Sequence, residues 1–344
     1  MKKILIFALC LLMALPAFSL AEEAKVLNLM TWEGYIDDSV IAQFKAETGI
    51  DIHYAPMQTN EDLLNRLSEN GGSEFDLILL SDYAIDILRK ENLLQALDKS
   101  KLPNFANLDE HYLNQYYDAN SEYVVPYFAG SPLIIYDPAK VNMDITGYAD
   151  LWDESLVDSL AMIDDPRIVI GITLKTMGKS MNETDPAVLE QAKEKLMPLF
   201  QNVRVFDYNA LQTSLVSGDT SAAFLFSTQV FLALMERPDL KAVYPKEGLG
   251  FGIDGLAIPV QAEHVDNAHL FLDFLMKPEI AAHNIMWQGS MVVNKAAAPH
   301  LSEEFLANTA VHVPGELLEN AEFIEDIGET ATLYEEIYTA FKLQ

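Results

Sequence analysis

Aromatic rings beside carboxylates recur in this chain where strands are predicted to end. Trp32, Glu33 and Tyr35 form one such group, Ser81, Asp82 and Tyr83 a second, and Asp164-Asp165 and Asp254 place acids after two later strands. That combination can hold an organic cation. An ammonium entering a dry cleft loses hydration that only opposite charge and hydrogen bonds replace, and each aromatic face adds about 0.5–2 kcal/mol of cation–π attraction. The same residue types have a plainer use: Trp and Tyr after a strand often pack in core or rim, and Asp after a strand often caps a helix. Residue types alone leave both uses open.

Signs of reaction chemistry are missing by comparison. There is no G-x-S-x-G elbow and no phosphate-binding loop. The seven histidines include no H-E-x-x-H pair and no short metal-ligand spacing. Gly250-Phe251-Gly252-Ile253-Asp254-Gly255 has the spacing of a dinucleotide loop, but such a loop follows a strand and opens a helix, whereas this one runs into a strand ending at Pro259. Asn182-Glu183-Thr184 fits a glycosylation acceptor, a tripeptide common by chance. No cofactor is called for.

The elements that must position the acids and rings alternate between β-rich apolar runs and amphipathic stretches, the pattern of βαβ units and mostly parallel sheets. Val26–Met30 reads as a strand, followed by a helix that Asp37-Asp38-Ser39 begins and Gly49 ends. Ile50, Ile52 and Tyr54 alternate as a second strand, residues 60–70 form a helix stopped by Gly71-Gly72, and 75–80 is a buried strand before a helix over about 83–94. This places the loops 31–36 and 81–83 at the carboxyl edge of parallel strands, where open α/β sheets bind ligands. Later strands are predicted at 133–136, 160–163, 203–206, 222–226 and 255–259, with a helix from about 265 to 276. Residues 127–130 and 252–255 are the hinge candidates, since two lobes without a flexible linker are best joined by crossing strands.

Met1-Lys2-Lys3, an apolar run from Ile4 to Leu15 and Ser19-x-Ala21 together read as a secretory signal peptide of bacterial style over residues 1–21. The apolar run falls short of the about 20 residues that cross a bilayer. Cleavage leaves 323 residues, enough for two domains. The one cysteine, Cys10, leaves with the leader, which excludes disulfides and thiolate chemistry from the mature chain. Without Lys2 and Lys3 the chain carries 52 acidic against 20 basic residues, a net charge of −32. Nucleic acid is a poor partner for that surface, and a cation a good one, although acidic surfaces also simply keep exported proteins soluble.

At these residues the chain resembles the spermidine/putrescine-binding proteins of ABC importers, which have the type II periplasmic-binding-protein fold. The resemblance starts with Trp32-x-x-Tyr35, Phe44-x-x-Glu47-Thr48-Gly49-Ile50 and Phe75-Asp76-Leu77 leading to Ser81-x-Tyr83. It continues through Asp98-Lys99-Ser100-Lys101-Leu102, Asn104-Phe105-x-Asn107-Leu108 and Ala149-Asp150-Leu151-Trp152. Asp164-Asp165-x-Arg167, Tyr244-Pro245-Lys246-Glu247-Gly248, Asp254-x-Leu256-Ala257-Ile258-Pro259 and Tyr334-Glu335-Glu336-x-Tyr338 complete it. It implies an α/β fold of two lobes, each a mostly parallel sheet flanked by helices, with hinge strands between them: 22–128 with 254–300, and 129–253 with 301–344. It implies a periplasmic or otherwise extracytoplasmic receptor rather than an enzyme, a monomer that closes on a polyamine, with a membrane permease as partner. Trp32 and Tyr35 would be aromatic walls, Ser81 and Tyr83 a polar rim, and Asp165 and Asp254 ammonium partners, with Glu33 and Phe226 beside them.

This sequence departs from the family pattern at several of those places. A second acid usual after Asp165-x-Arg167 is Ile168, the acid before the first-loop tyrosine is Gly34 with Glu33 one position earlier, and a tryptophan two residues before Asp254 is Gly252. Another tryptophan is Phe226, a late tyrosine is Ser290 and a late glutamine is Ile324. A pocket with fewer acids and indoles suits a shorter diamine, another amine or a less charged solute. Two rival functions therefore stand: the same scaffold serving an amino acid derivative, a sugar or a metal complex, and an exported hydrolase, for which no nucleophile and base pair is found.

Overall fold

The computed structural model describes residues 25–57, 59–208, 210–311, 313–318 and 321–344. The expected leader and Cys10 lie outside the described residues.

Three βα units open the chain: β1 (Val26–Trp32) and α1 (Asp38–Thr48), β2 (Asp51–Met57) and α2 (Asn60–Asn70), β3 (Leu77–Ser81) and α3 (Asp82–Lys90). Side-chain caps set the helix starts: Asp37 accepts from the Ser39 amide at α1, and Thr59 from that of Asp62 at α2. Gly49 ends α1 in the left-handed region at φ 74°, returning its N–H to Lys45. After short 3-10 turns, β4 (Val124–Gly130) crosses to β5 (Pro132–Tyr136). There follow β6 (Leu160–Ile163), α4 (Pro166–Lys175), α5 (Pro186–Leu196), β7 (Val203–Asp207), α6 (Gln212–Ser217), β8 (Ala222–Phe226), α7 (Ser227–Glu236) and β9 (Lys241–Val243). Next, β10 (Gly250–Ala257) returns to the first sheet, and α8 (Val265–Leu275), α9 (Pro278–Gln288), α10 (Glu303–Ala307), α11 (Gly315–Leu318), β11 (Glu322–Phe323) and α12 (Ala331–Lys342) complete the chain.

The first sheet runs β11-β10-β3-β1-β2, with β4 also paired to β10, and the second runs β7-β6-β8-β5-β9. The expected parallel pairing holds at the centres, where β1 lies parallel to β2 and β3, and β6 to β7 and β8. Both sheets are mixed, because β10 is antiparallel to β3 and β4 and β5 is antiparallel to β8 and β9. The two hinge candidates are partners in that pairing: Gly252 faces Gly130, Ile253 faces Ala129 and Asp254 faces Phe128. One core cluster lies between the first sheet and α1 and α8, another between that sheet and α2 and α3, and a third fills the second sheet with α4, α5, α7 and α12.

Several expected boundaries move, and the expected loop 81–83 is absent, because Ser81 closes β3 and Asp82 and Tyr83 open α3. Trp32 ends β1 instead of lying in the following loop. Helix α3 stops at Lys90, because Asn92 turns the chain at φ 59°. Strand character begins at Gly250 instead of Gly255, so the glycine-rich run is itself strand.

Candidate ligand-binding cleft

The carboxyl ends of β1, β3, β6 and β8 deliver Trp32, Ser81, Asp165 and Phe226. Beside β3, on the side away from β1, stands Asp254 on the crossing strand β10, with Ser81 and Phe128 as its cross-strand neighbours and a bulge just after it. The bulge turns the strand where its acid must face outward. Tyr35 donates its hydroxyl to Asp254 Oδ2 at 2.7 Å, and Ser81, its cross-strand neighbour, lies near enough to help stabilise the same carboxylate. Ser81 is itself held by Asn60, whose Nδ2 donates to Ser81 Oγ and whose Oδ1 accepts from its amide, both at 3.2 Å.

Aromatic rings wall this carboxylate. Tyr35 lies 5.0 Å from Trp32 and 5.5 Å from Phe128, centroid to centroid. Tyr127 fastens the turn by donating its hydroxyl to the Tyr35 carbonyl at 3.1 Å. On the second sheet, Tyr208 packs edge-on against Phe226 at 5.2 Å. It is half exposed, and the nearby charges of Asp165, Asp254 and Glu61 set its phenol among acids from both sheets.

Burial pushes the Asp254 carboxyl up, against the lowering effect of the Tyr35 and Ser81 hydrogen bonds. Tyr35 is raised well above the ordinary phenol range by burial and then by Asp254. Asp82 is 3% exposed and raised well above the usual carboxylate range, by burial first, with Asp254 and Glu325 adding to it. No lysine, arginine or histidine among the described residues pairs with Asp82 or Asp254.

Asp165 differs, because it serves as the N-cap of α4, its Oδ1 accepting from the Ile168 amide at 2.9 Å. Burial raises it, while those backbone bonds and the Arg167 charge hold it down. Arg167 donates to the Glu325 carbonyl at 3.0 Å and to Asn182 Oδ1 at 2.8 Å, and lies over the Tyr334 ring at 5.1 Å. Asp164 turns away to Tyr338 at 2.8 Å and Lys342 at 2.7 Å, fixing α12.

The structure thus brings Trp32, Tyr35, Ser81 and Asp254 into one network, and sets Phe226 with Tyr208 on the other sheet. Tyr83 is half-buried and donates to Glu61 at 2.8 Å, with Asp165 among the charges that raise it. Glu33 lies exposed on the turn beside Gly34, and no hydrogen bond among the described residues joins it to the network. Tyr208, Phe128 and the burial of Asp82 were missed by sequence reasoning. Tyr208 follows β7 as Trp32 closes β1, so the same rule of aromatics at strand ends would have found it. Among the described residues, no group of three His, Cys, Asp or Glu could hold a metal ion.

A family model described as bacterial extracellular solute-binding protein matches residues 39–313. The spermidine/putrescine-binding periplasmic protein of Escherichia coli (strain K12) is 32% identical over 323 residues, covering 94% of this chain and 93% of that protein. Spermidine/putrescine-binding periplasmic protein 1 of Haemophilus influenzae is 31% identical over 316 residues, covering 91% and 88%. Among solved structures, the spermidine/putrescine ABC transporter substrate-binding protein PotD from Streptococcus pneumoniae superposes with a TM-score of 0.83 at 29% identity, covering 92% of this chain and 98% of that one.

Proposed function

The chain belongs to the bacterial extracellular solute-binding proteins, and on that premise we propose that it captures a polyamine of the putrescine or spermidine type between its two sheets and delivers it to the membrane permease of an ABC importer. The relatives' ligands support this reading. The observation that carries it is Asp254: a carboxylate bonded by Tyr35, whose ring packs between Trp32 and Phe128, and lacking a cation of its own among the described residues. An ammonium would supply that cation and gain from the rings. Trp32, Tyr35, Ser81, Tyr83, Asp165, Phe226 and Asp254 form the site on this reading, with Glu33 at its rim. The protein acts as an exported monomer whose lobes close about β4 and β10 when ligand bridges them.

Calorimetric titration and thermal shift with putrescine, spermidine, spermine, cadaverine and basic amino acids test it. A ligand at roughly 100 times its Kd adds about 2.7 kcal/mol of stability, a rise of several degrees in melting temperature. Asp254→Asn should weaken the amine about 30-fold or more. Stabilisation by a sugar or a neutral amino acid derivative with no response to any amine would favour the rival solute reading.

A further inference from the structure

We propose that Asp82 is a second anionic partner in this cleft and that one primary ammonium of the ligand sits between Asp82 and Asp254, in the space left over Gly252. The proposal rests on the amine reading above. Asp82 follows the last residue of β3 and completes the ladder beyond it: its Oδ2 accepts from the Ile253 amide at 3.1 Å and its Oδ1 from the Tyr83 amide at 2.7 Å. An uncharged acceptor such as Asn or Ser could meet an amide there. A buried charge without a cation is costly, so capping alone does not account for an acid at this position.

The surroundings of Asp82 leave room for an ammonium. Gly252 and Asp254 stand on the same face of β10, roughly 7 Å apart along the strand. A Cβ built on Gly252 meets open space, with Asp82 Oδ2 at 4.0 Å as its only neighbour within that distance, so a ligand group can stand where a side chain would otherwise fill the cleft. Tyr117 is 2% exposed with a buried hydroxyl that has no partner among the described residues, and Asp82 is the charge that acts on it most strongly. Arg167, a cation that offsets Asp165, sits beside that acid at the other end. Neither Asp82 nor Asp254 has such a cation among the described residues. A primary ammonium has three N–H donors and a compact charge, which suits two carboxylates; a quaternary ammonium has none.

Isothermal titration of the full mature chain with putrescine tests this, using Asp82→Asn and Gly252→Leu with near-ultraviolet circular dichroism to verify the fold. Gly252 does not have a positive φ, so leucine fills the space without backbone strain. Both variants should lose about 30-fold or more in putrescine affinity, and a trimethylammonium analogue of putrescine should bind poorly to the wild type. Asp82→Asn binding putrescine as tightly as the wild type overturns the proposal, and so does a loss in Asp82→Asn that Gly252→Leu does not share, which would mark Asp82 as a ladder cap only. A wild type that binds no amine at all sinks the polyamine reading itself, and this subsite with it.

Discussion

A carboxylate deprived of water keeps its charge only if a cation or hydrogen bonds replace that water; otherwise it takes up a proton. Asp254 has the Tyr35 hydroxyl as partner and Asp82 two amides, yet burial raises both. The sign follows directly. In the empty cleft the protonated forms are favoured, so their contribution to stability is present at low pH and is lost as pH rises through the raised values. An ammonium favours the charged forms, so its affinity falls on acidification, over a window that opens above the ordinary carboxylate value of about 4. Melting temperatures recorded from pH 4 to 8 with and without putrescine should show a ligand increment that is full at neutral pH and shrinks towards the acid end. An increment independent of pH would mean that neither acid touches the ligand. Trp32, Tyr35, Ser81 and Asp254 were legible in the sequence because each lies beside a strand whose apolar pattern is plain. The state of Asp82 was not, since its burial arises from β10, which lies far along the chain and meets the end of β3 only in the fold.

At the scale of elements, Asp165 caps α4 and, on the proposed reading, also faces the ligand, and one substitution can separate the two. As N-cap of α4 it satisfies the Ile168 amide, and replacing such a cap by Ala costs about 0.5–2 kcal/mol. Asn caps equally well without the charge. Asp165→Asn should therefore leave the melting temperature near that of the wild type and lower putrescine affinity only mildly, because Arg167 already offsets this acid. Asp165→Ala should lower the melting temperature as well. A loss of affinity in Asp165→Asn as large as in Asp254→Asn would show that the two ends of the ligand are held alike. Helix α2 and strands β6 and β8 take their expected bounds, since cap residues and buried apolar runs mark them locally. The start of β10 was hidden because glycine has poor intrinsic strand character; what makes 250–254 a strand is pairing with β4 and β11.

In the whole molecule, a core built on the second sheet is separate from those on the first, and the chain passes between the sheets beside paired strands. Ser131 closes the first crossing onto the second by donating to the Gly250 carbonyl at 2.6 Å. Met291 adds a third strand-like contact through its amide to the Ala129 carbonyl at 3.1 Å. Such a narrow waist can bend while each core stays rigid, which is how two lobes close without repacking. Gly130 sits at its centre. A Cβ there would stand 2.9 Å from Ser227 Oγ and 3.2 Å from the Phe128 ring, both attached to elements that must move relative to each other on closure. Gly130→Ala should therefore weaken putrescine several-fold. In small-angle scattering, the radius of gyration of the wild type should shrink on addition of putrescine, and that of the variant should shrink less. Equal contraction in both, with equal affinity, would place the bending elsewhere than at β4 and β10.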